Sequence, residues 1–245
     1  DLTMIQISNL SYTFAKGGGV SKIDMSMKDD EFAFLIGPTG SGKTTLLRLI
    51  YMDLLPQVGN IIIGDYDSDG IKQKQIALMR RKVGMVFQDY HLLSDRNLFE
   101  NVALPLHVIG YSKDEIVDRV KDSLEEVGLN GKENHFPSEL SGGEQQRIAI
   151  ARLLVQHPRI VLADEPVASL DLPRAHEVLR LLTAVTEEQG ETLIASLHDV
   201  DLARRYFARI VGLRSGRVQF DKPTSSIQDR ELAKLYEIDE PTREA

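Results

Sequence analysis

Gly37-Pro38-Thr39-Gly40-Ser41-Gly42-Lys43-Thr44 is the stretch on which the reading of this chain turns. It has the spacing G-x-x-x-x-G-K-[ST] and lies between an apolar run, Phe32–Gly37, and a helical run, Thr45–Leu55. A strand that feeds a glycine-rich loop, which in turn opens a helix, is the context the pattern requires. The glycines let successive backbone N–H groups turn onto a phosphate chain, and the helix N-terminus adds positive potential. Lys43 is placed to reach the β and γ phosphates, and Thr44 offers a hydroxyl to Mg²⁺. Gly37, Pro38, Thr39, Gly40, Ser41, Gly42, Lys43, Thr44 and the following Thr45 are therefore the candidate contacts for a nucleotide such as ATP.

Downstream, Ile160-Val161-Leu162-Ala163-Asp164 reads as a strand whose final carboxylate is a metal-ligand candidate, directly or through water. Glu165 follows at once, where a carboxylate can orient and deprotonate an attacking water. Val83–Gln88 and Thr192–His198 are two more short, mainly apolar runs that end on a polar residue. Such runs suit strands buried on both faces of a parallel sheet, and their polar ends fall at its carboxyl edge, where α/β folds bind ligands. Ile5–Phe14 and Gly59–Gly64 read instead as antiparallel edge strands, with Gly17–Gly19 as a turn. Between Asp89 and His157 the strand signal fades; in Lys113–Val127 the apolar Ile116, Val120, Leu124 and Val127 recur at helical spacing. A helix over about Pro173–Gln189, a hairpin over Arg209–Phe220 turning at Ser215-Gly216, and a charged tail with a short helix around Ile227–Tyr236 complete the chain.

The fold class expected is α/β: a phosphate-loop core of mostly parallel sheet, with an antiparallel β part and an inserted helical lobe. Its divisions are 1–88 (antiparallel part and phosphate loop), 89–157 (helical lobe), 158–220 (completion of the core) and 221–245 (tail).

Composition narrows the function classes. Hydrophobic residues make up 42% and charged ones 27% of 245, as in an ordinary globular protein. A net charge of -8 lacks the basic footprint of phosphate-backbone binding, which speaks against nucleic acid as a partner. No cysteine is present, which rules out disulfides and thiolate metal sites. No apolar run approaches the roughly 20 residues of a membrane span, so any membrane role is expected to come through a partner.

Leu140-Ser141-Gly142-Gly143-Glu144-Gln145-Gln146-Arg147 narrows the reading further. Ser141 and Glu144 have capping-box spacing, so a helix starts there with free N–H groups, and two glycines strip side chains from its mouth. With the phosphate loop before it and the acidic strand after it, the chain resembles the ATP-binding cassette (ABC) family over roughly residues 4–220. The resemblance implies hydrolysis of Mg-ATP in a homodimer formed in the ATP-bound state, with Ser141, Gly142 and Gly143 of one subunit closing on the nucleotide held by the other. Phe14 stands where the family stacks an aromatic on adenine, with Tyr12 as the competing choice. Gln88 resembles the glutamine that touches Mg²⁺ or the attacking water, and His198 the histidine that contacts the γ-phosphate. Ser169-Leu170-Asp171 is similar to the loop that crosses the dimer interface, although Val167-Ala168 stand where many relatives carry Thr-Gly.

Leu78–Asp89, His91-Leu92-Leu93-Ser94-Asp95-Arg96, Asn101–Leu106 and Asn134-His135-Phe136-Pro137 resemble the cell-division branch of that family. Lipoprotein-release and macrolide-export ATPases are similar through the same stretches. The resemblance implies a place at the cytoplasmic face of the bacterial inner membrane, held there by an integral, FtsX-like partner docking near residues 88–106. Tyr90, Leu92, Leu93 and Phe99 fit either that docking surface or the core of the lobe.

Overall fold

The structure, a computed structural model, describes residues 3–237. Residues 1, 2 and 238–245, the last of these being the end of the charged tail, lie outside the described residues. Strands β1 (Thr3–Thr13) and β2 (Gly19–Lys28) form an antiparallel hairpin through the Gly17–Gly19 turn. With β4 (Val58–Ile63) and β5 (Tyr66–Asp67) they make a four-stranded sheet in the order β2-β1-β4-β5. The stretch Ile5–Phe14, expected at an edge, is thus interior: β1 is hydrogen-bonded to β2 on one side and β4 on the other. Alternation of Ile5, Ile7 and Leu10 into the core fits either position, so sequence periodicity alone could not place it.

The second sheet has six strands. Here β3 (Phe32–Ile36), β6 (Val83–Val86), β7 (Ile160–Asp164), β8 (Thr192–Ser196) and β9 (Arg209–Arg214) run parallel, and β10 (Arg217–Pro223) returns antiparallel. Their order is β10-β9-β3-β8-β7-β6. The uniformly apolar runs are explained by two separate cores. Phe34, Ile36, Val161, Ala163, Leu193 and Ala195 face the larger one. Their neighbours Ala33, Leu35, Ile160, Leu162 and Ile194 face a core shared with the antiparallel sheet.

Helices α1 (Lys43–Ile50) and α2 (Gln73–Met79) serve the second core. The first expected helix is shorter than Thr45–Leu55, because Met52 takes a left-handed backbone (φ 54) just past the Tyr51 cap. Helices α3 (Leu98–Ile109), α4 (Lys113–Glu126) and α5 (Gly142–Leu154) pack on one another, and α5 also on α6 (Leu172–Glu188). In α4 the periodic Ile116, Val120 and Leu124 are all buried. Two short helices, α7 (Val200–Tyr206) and α8 (Asp229–Tyr236), close the described chain.

Buried Asn101 on α3 accepts from the Leu93 N–H at 2.8 Å and donates to the carbonyls of Leu93, Arg96 and Asn97. It thereby pins the loop leading into the lobe. Arg152 of α5 holds the same loop nearer the sheet by donating to the carbonyls of Tyr90 and His91, each at 2.8 Å. Tyr90, Leu92 and Phe99 lean on the larger core, whereas Leu93, Leu104 and Val108 are exposed.

Candidate active site

Parallel pairing of β3, β8, β7 and β6 brings four loops to one carboxyl edge. The Gly37–Thr44 loop leaves β3 there. Gly37 has φ 150 and its backbone passes so near β9 that a Cβ would lie 2.0 Å from the Leu213 carbonyl oxygen, which leaves room for glycine only. Gly42 caps α1 with φ 105, a left-handed conformation that turns the chain into the helix. Lys43 is buried, and its ammonium donates to the carbonyls of Gly37 at 2.7 Å and Pro38 at 3.2 Å. Burial pushes the Lys43 pKa down, while Glu165 and Asp164 pull it back up.

Asp164 ends β7, buried, and its Oδ1 accepts from Thr44 Oγ1 at 3.1 Å and from Ser196 Oγ at 2.8 Å. Ser196 pairs with Asp164 in the β7–β8 register and also accepts the backbone N–H of Glu165 at 3.0 Å. That bond holds Glu165 with φ 47, a strained conformation for a side-chain-bearing residue of the kind that clusters at functional sites. The Glu165 carboxylate meets His198 Nε2 at 2.6 Å. The expectation that Gln88 and His198 end their strands is corrected: β6 stops at Val86 and β8 at Ser196, so both side chains stand on the loops two residues farther on. Longer tethers let them reach over the site instead of lying in the sheet.

A cavity of about 550 Å³ is lined by Phe14, by Thr39 through Thr45, and by Gln88, Glu165 and His198. Phe14 rather than Tyr12 lines it. Tyr12 packs on the smaller core and meets Phe14 edge to face, with ring centroids 5.0 Å apart. Ser41 carries a buried hydroxyl oxygen without a hydrogen-bond partner, an orphan at the loop's centre of the kind a phosphate oxygen satisfies. Thr44 and Asp164 provide hard oxygen donors side by side, which suits Mg²⁺ with phosphate oxygens and water as its remaining ligands. A larger groove, about 1060 Å³, opens at the other edge of the sheet, around Glu31, Glu191 and Arg209, and gathers none of the motif residues.

Ser141, Gly142 and Gly143 do not line the cavity of the phosphate loop. Ser141 caps α5: its hydroxyl accepts the Glu144 N–H, and the Glu144 carboxylate accepts the Ser141 N–H at 2.9 Å. Lys132 pairs with Glu144 and, with Ser141, holds its pKa down to about 2. The glycine mouth faces a separate hollow of about 380 Å³ lined by Ser141 and Gly143, by Arg147, Arg174 and Arg180, and by Glu126, Glu144 and Glu177. Asp171, expected near nucleotide, caps α6 by accepting the Arg174 N–H at 3.0 Å.

Ser196 was missed by motif reasoning. Its one signal was its place in an apolar strand opposite Asp164, legible only once the β7–β8 register is known.

This geometry defines an ATP-binding and hydrolysing cassette, and residues 20–168 match the ABC transporter family, to which the chain belongs. Among curated proteins, the cell division ATP-binding protein FtsE of Streptococcus pneumoniae serotype 2 is 39% identical over 200 residues, covering 82% of this chain and 86% of the relative. FtsE of Escherichia coli K12 is 39% identical over 216 residues, 88% of this chain and 97% of the relative. The phosphonates import ATP-binding protein PhnC 1 of Oceanobacillus iheyensis is 36% identical over 242 residues, 95% and 94% of the two chains. Among solved structures, a dimeric post-hydrolysis ATP-binding cassette bound to ADP and Pi superposes with TM-score 0.82 at 33% identity, over 90% of this chain and 99% of that one. CbiO1 of Clostridium perfringens, part of an ABC transporter complex, gives 0.85 at 28% identity, over 96% and 94%. The chain is an ABC-type ATPase. Among its described residues no helix is long and apolar enough to cross a membrane.

Proposed function

We propose that two copies of this chain close head to tail around two Mg-ATP molecules, and that the closing drives an integral membrane partner in a cell-division complex of the FtsE/FtsX kind. One observation carries the first half. The phosphate loop and the glycine mouth of α5 face separate hollows of one chain, and on this reading each is half of an anion site. An exposed helix N-terminus capped by Ser141 and stripped of side chains at Gly142 and Gly143 attracts phosphate. A second chain, turned head to tail, brings it to the first chain's loop.

Within each site Phe14 stacks on the base, and Lys43, Ser41 and the loop N–H groups hold the phosphates. Thr44, Asp164 and Gln88 hold Mg²⁺, which when bound screens the phosphate charge. Glu165 takes the proton of the attacking water. His198, 2.6 Å from Glu165, keeps that carboxylate turned inward and meets the γ-phosphate. Asp171, at the cap of α6, lies on the loop assigned to the interface.

The partner docks near residues 88–106, where Leu93 and Leu104 are exposed and Gln88 links the loop to the site. The chain then sits at the cytoplasmic face of the bacterial inner membrane without crossing it. Division of the chain into 1–88, 89–157, 158–220 and 221–245 follows these jobs.

Mixing Ser141→Arg chains with Lys43→Ala chains tests the composite site: activity that neither has alone returns in the mixture, and none returns if each chain holds a complete site. The cell-division reading rests on the FtsE relatives at 39% identity. A second reading, the ATPase of a solute importer, is favoured by the PhnC relative, which aligns over 95% of this chain. An exporter of lipoprotein or macrolide type is the third. Crosslinking from residues 90–106 in native membranes separates them: an FtsX-like protein supports division, and a solute permease refutes it.

A further inference from the structure

Lys132 stands outside every motif, yet its ammonium meets the one carboxylate built into the mouth of α5. Glu144 carries that carboxylate in the first turn, beside the free N–H groups that attract an anion. Its two oxygens have different partners. Oε2 accepts the Ser141 N–H at 2.9 Å and the Ser141 hydroxyl at 2.8 Å, while Oε1 pairs with Lys132. With its pKa held down to about 2, Glu144 is ionised at neutral pH. Neutral donors leave that negative charge in place, and only an opposite charge offsets it. The hollow at the mouth sets Arg147, Arg174 and Arg180 against Glu126, Glu144 and Glu177. Those side chains balance, and Lys132, which is not among the lining residues, tips the sum towards positive.

An exposed lysine that samples many rotamers contributes little through an ion pair. Lys132 is instead held from its backbone outward. Its N–H donates to the carbonyl of buried Leu129 at 3.2 Å, and its carbonyl accepts the His135 N–H at 3.0 Å. Gly131, just before it, donates to the Glu133 carboxylate at 2.9 Å. The first turn of α3 fastens the same loop: the N–H groups of Leu98 and Phe99 donate to the carbonyls of His135 at 2.9 Å and Glu133 at 3.0 Å. A helix start leaves such N–H groups without a partner of their own, so loop and helix satisfy each other. The loop is thus fixed to α3 through its backbone and to α5 through the Lys132 side chain.

We propose, resting on the head-to-tail reading, that Lys132 is a positioning residue for the nucleotide held by the other chain: by offsetting Glu144 it keeps the α5 mouth attractive to phosphate and strengthens ATP-driven closure of the dimer. Lys132 acts through Glu144 and does not line its own chain's phosphate-loop cavity. Binding of ATP to a single chain is therefore independent of it.

The test uses the full chain carrying Glu165→Gln, with Mg-ATP present, and reads self-association by sedimentation equilibrium. A charge at a helix start corresponds to about 2- to 5-fold in affinity per site at low salt. Two sites per dimer multiply this, so Lys132→Met self-associates about 4- to 25-fold more weakly. The difference shrinks as salt rises from about 0.05 to 0.5 M. Lys132→Arg keeps the charge and stays near the parent. Adding Glu144→Gln to Lys132→Met removes the stranded carboxylate and restores self-association, which a merely structural role for the lysine would not do. The Kd for ATP, measured at protein concentrations too low for dimers, is the same in all of them. Self-association of Lys132→Met equal to the parent's overturns the proposal, as does a defect that ignores salt or persists when Glu144→Gln is added. If the Glu165→Gln parent does not dimerise with Mg-ATP, the head-to-tail reading falls and the role of Lys132 with it; if the parent dimerises and Lys132→Met matches it, only the role of Lys132 fails.

Discussion

Replacing Ser196 by alanine removes a single oxygen that serves both acidic residues of the site. That oxygen donates to Asp164 at 2.8 Å and accepts from the Glu165 N–H at 3.0 Å, on a fully buried strand. The first bond is to a carboxylate and is the stronger; the second keeps a buried N–H satisfied. Losing the hydroxyl leaves Asp164 with Thr44 alone, at 3.1 Å, and leaves the N–H of a residue at φ 47 without its anchor. Adding a charge-assisted bond to one unsatisfied group gives a cost of about 2–4 kcal/mol. For a chain of this size that corresponds to an unfolding midpoint lower by roughly 5–15 °C. ATPase activity measured well below that midpoint falls as well, because Glu165 no longer holds its orientation, and the Mg²⁺ concentration for half-maximal rate rises with the loosened Asp164. Thermal unfolding followed by circular dichroism and a Mg²⁺ titration of the ATPase rate check both effects. A midpoint within about 2 °C of the unaltered chain, with a normal Mg²⁺ titration, refutes the bridging role.

Glu165→Gln keeps the shape of the side chain and removes the base, so ATP still binds and kcat falls by about 10²- to 10⁴-fold; near-normal turnover in a steady-state assay sinks the assignment. Glu191 is buried with one carboxylate oxygen unpartnered, and burial, reinforced by Glu126, raises its pKa to about 8. A carboxyl whose folded pKa lies above its unfolded value loses stability as pH rises from about 4.5 towards about 8. Glu191→Gln therefore raises the unfolding midpoint at pH 8 and leaves it nearly unchanged at pH 4; a midpoint difference independent of pH contradicts this.

The phosphate loop, the acidic strand end and the capped glycine helix were legible because each is local: spacing within about eight residues fixes which backbone groups converge. The parallel strands were legible for a different reason. A run apolar at every position cannot leave either face to water, and Ile160–Ala163 is buried throughout. What stayed hidden depends on pairing between distant segments. Whether β1 was an edge strand turned on β4 arriving 45 or more residues later, and alternation reads the same in either case. Ser196 looks like one polar interruption in an apolar strand until the register sets it opposite Asp164. The choice between Phe14 and Tyr12 likewise needed three dimensions, since the two rings touch and only one faces the cavity. Gln88 and His198 were found by type and order, but their placement on loops past the strand ends was not.

On the proposed head-to-tail arrangement, the charges around the phosphate loop give a reason for one chain to need a second. Lys43 brings one positive charge, already drawn down by burial, against the carboxylates of Asp164 and Glu165. ATP adds several more negative charges to a cavity whose own side chains supply little to offset them. Loop N–H groups and the α1 N-terminus contribute fractional charge only. In the proposed site, Mg²⁺ held by Thr44 and Asp164 would offset part of the excess, and a further positive helix end would offset more. Glu144 places a carboxylate in the first turn of α5, which by itself works against that purpose. Yet it is neutralised by Lys132 and occupied with the Ser141 N–H and hydroxyl, which leaves the glycine N–H groups of α5 free of it. In the proposed dimer the N–H groups at the start of the second chain's α5 would therefore help to offset the charge that ATP brings. In the proposed dimer, hydrolysis and phosphate release would reduce the negative charge and with it the attraction between the two chains.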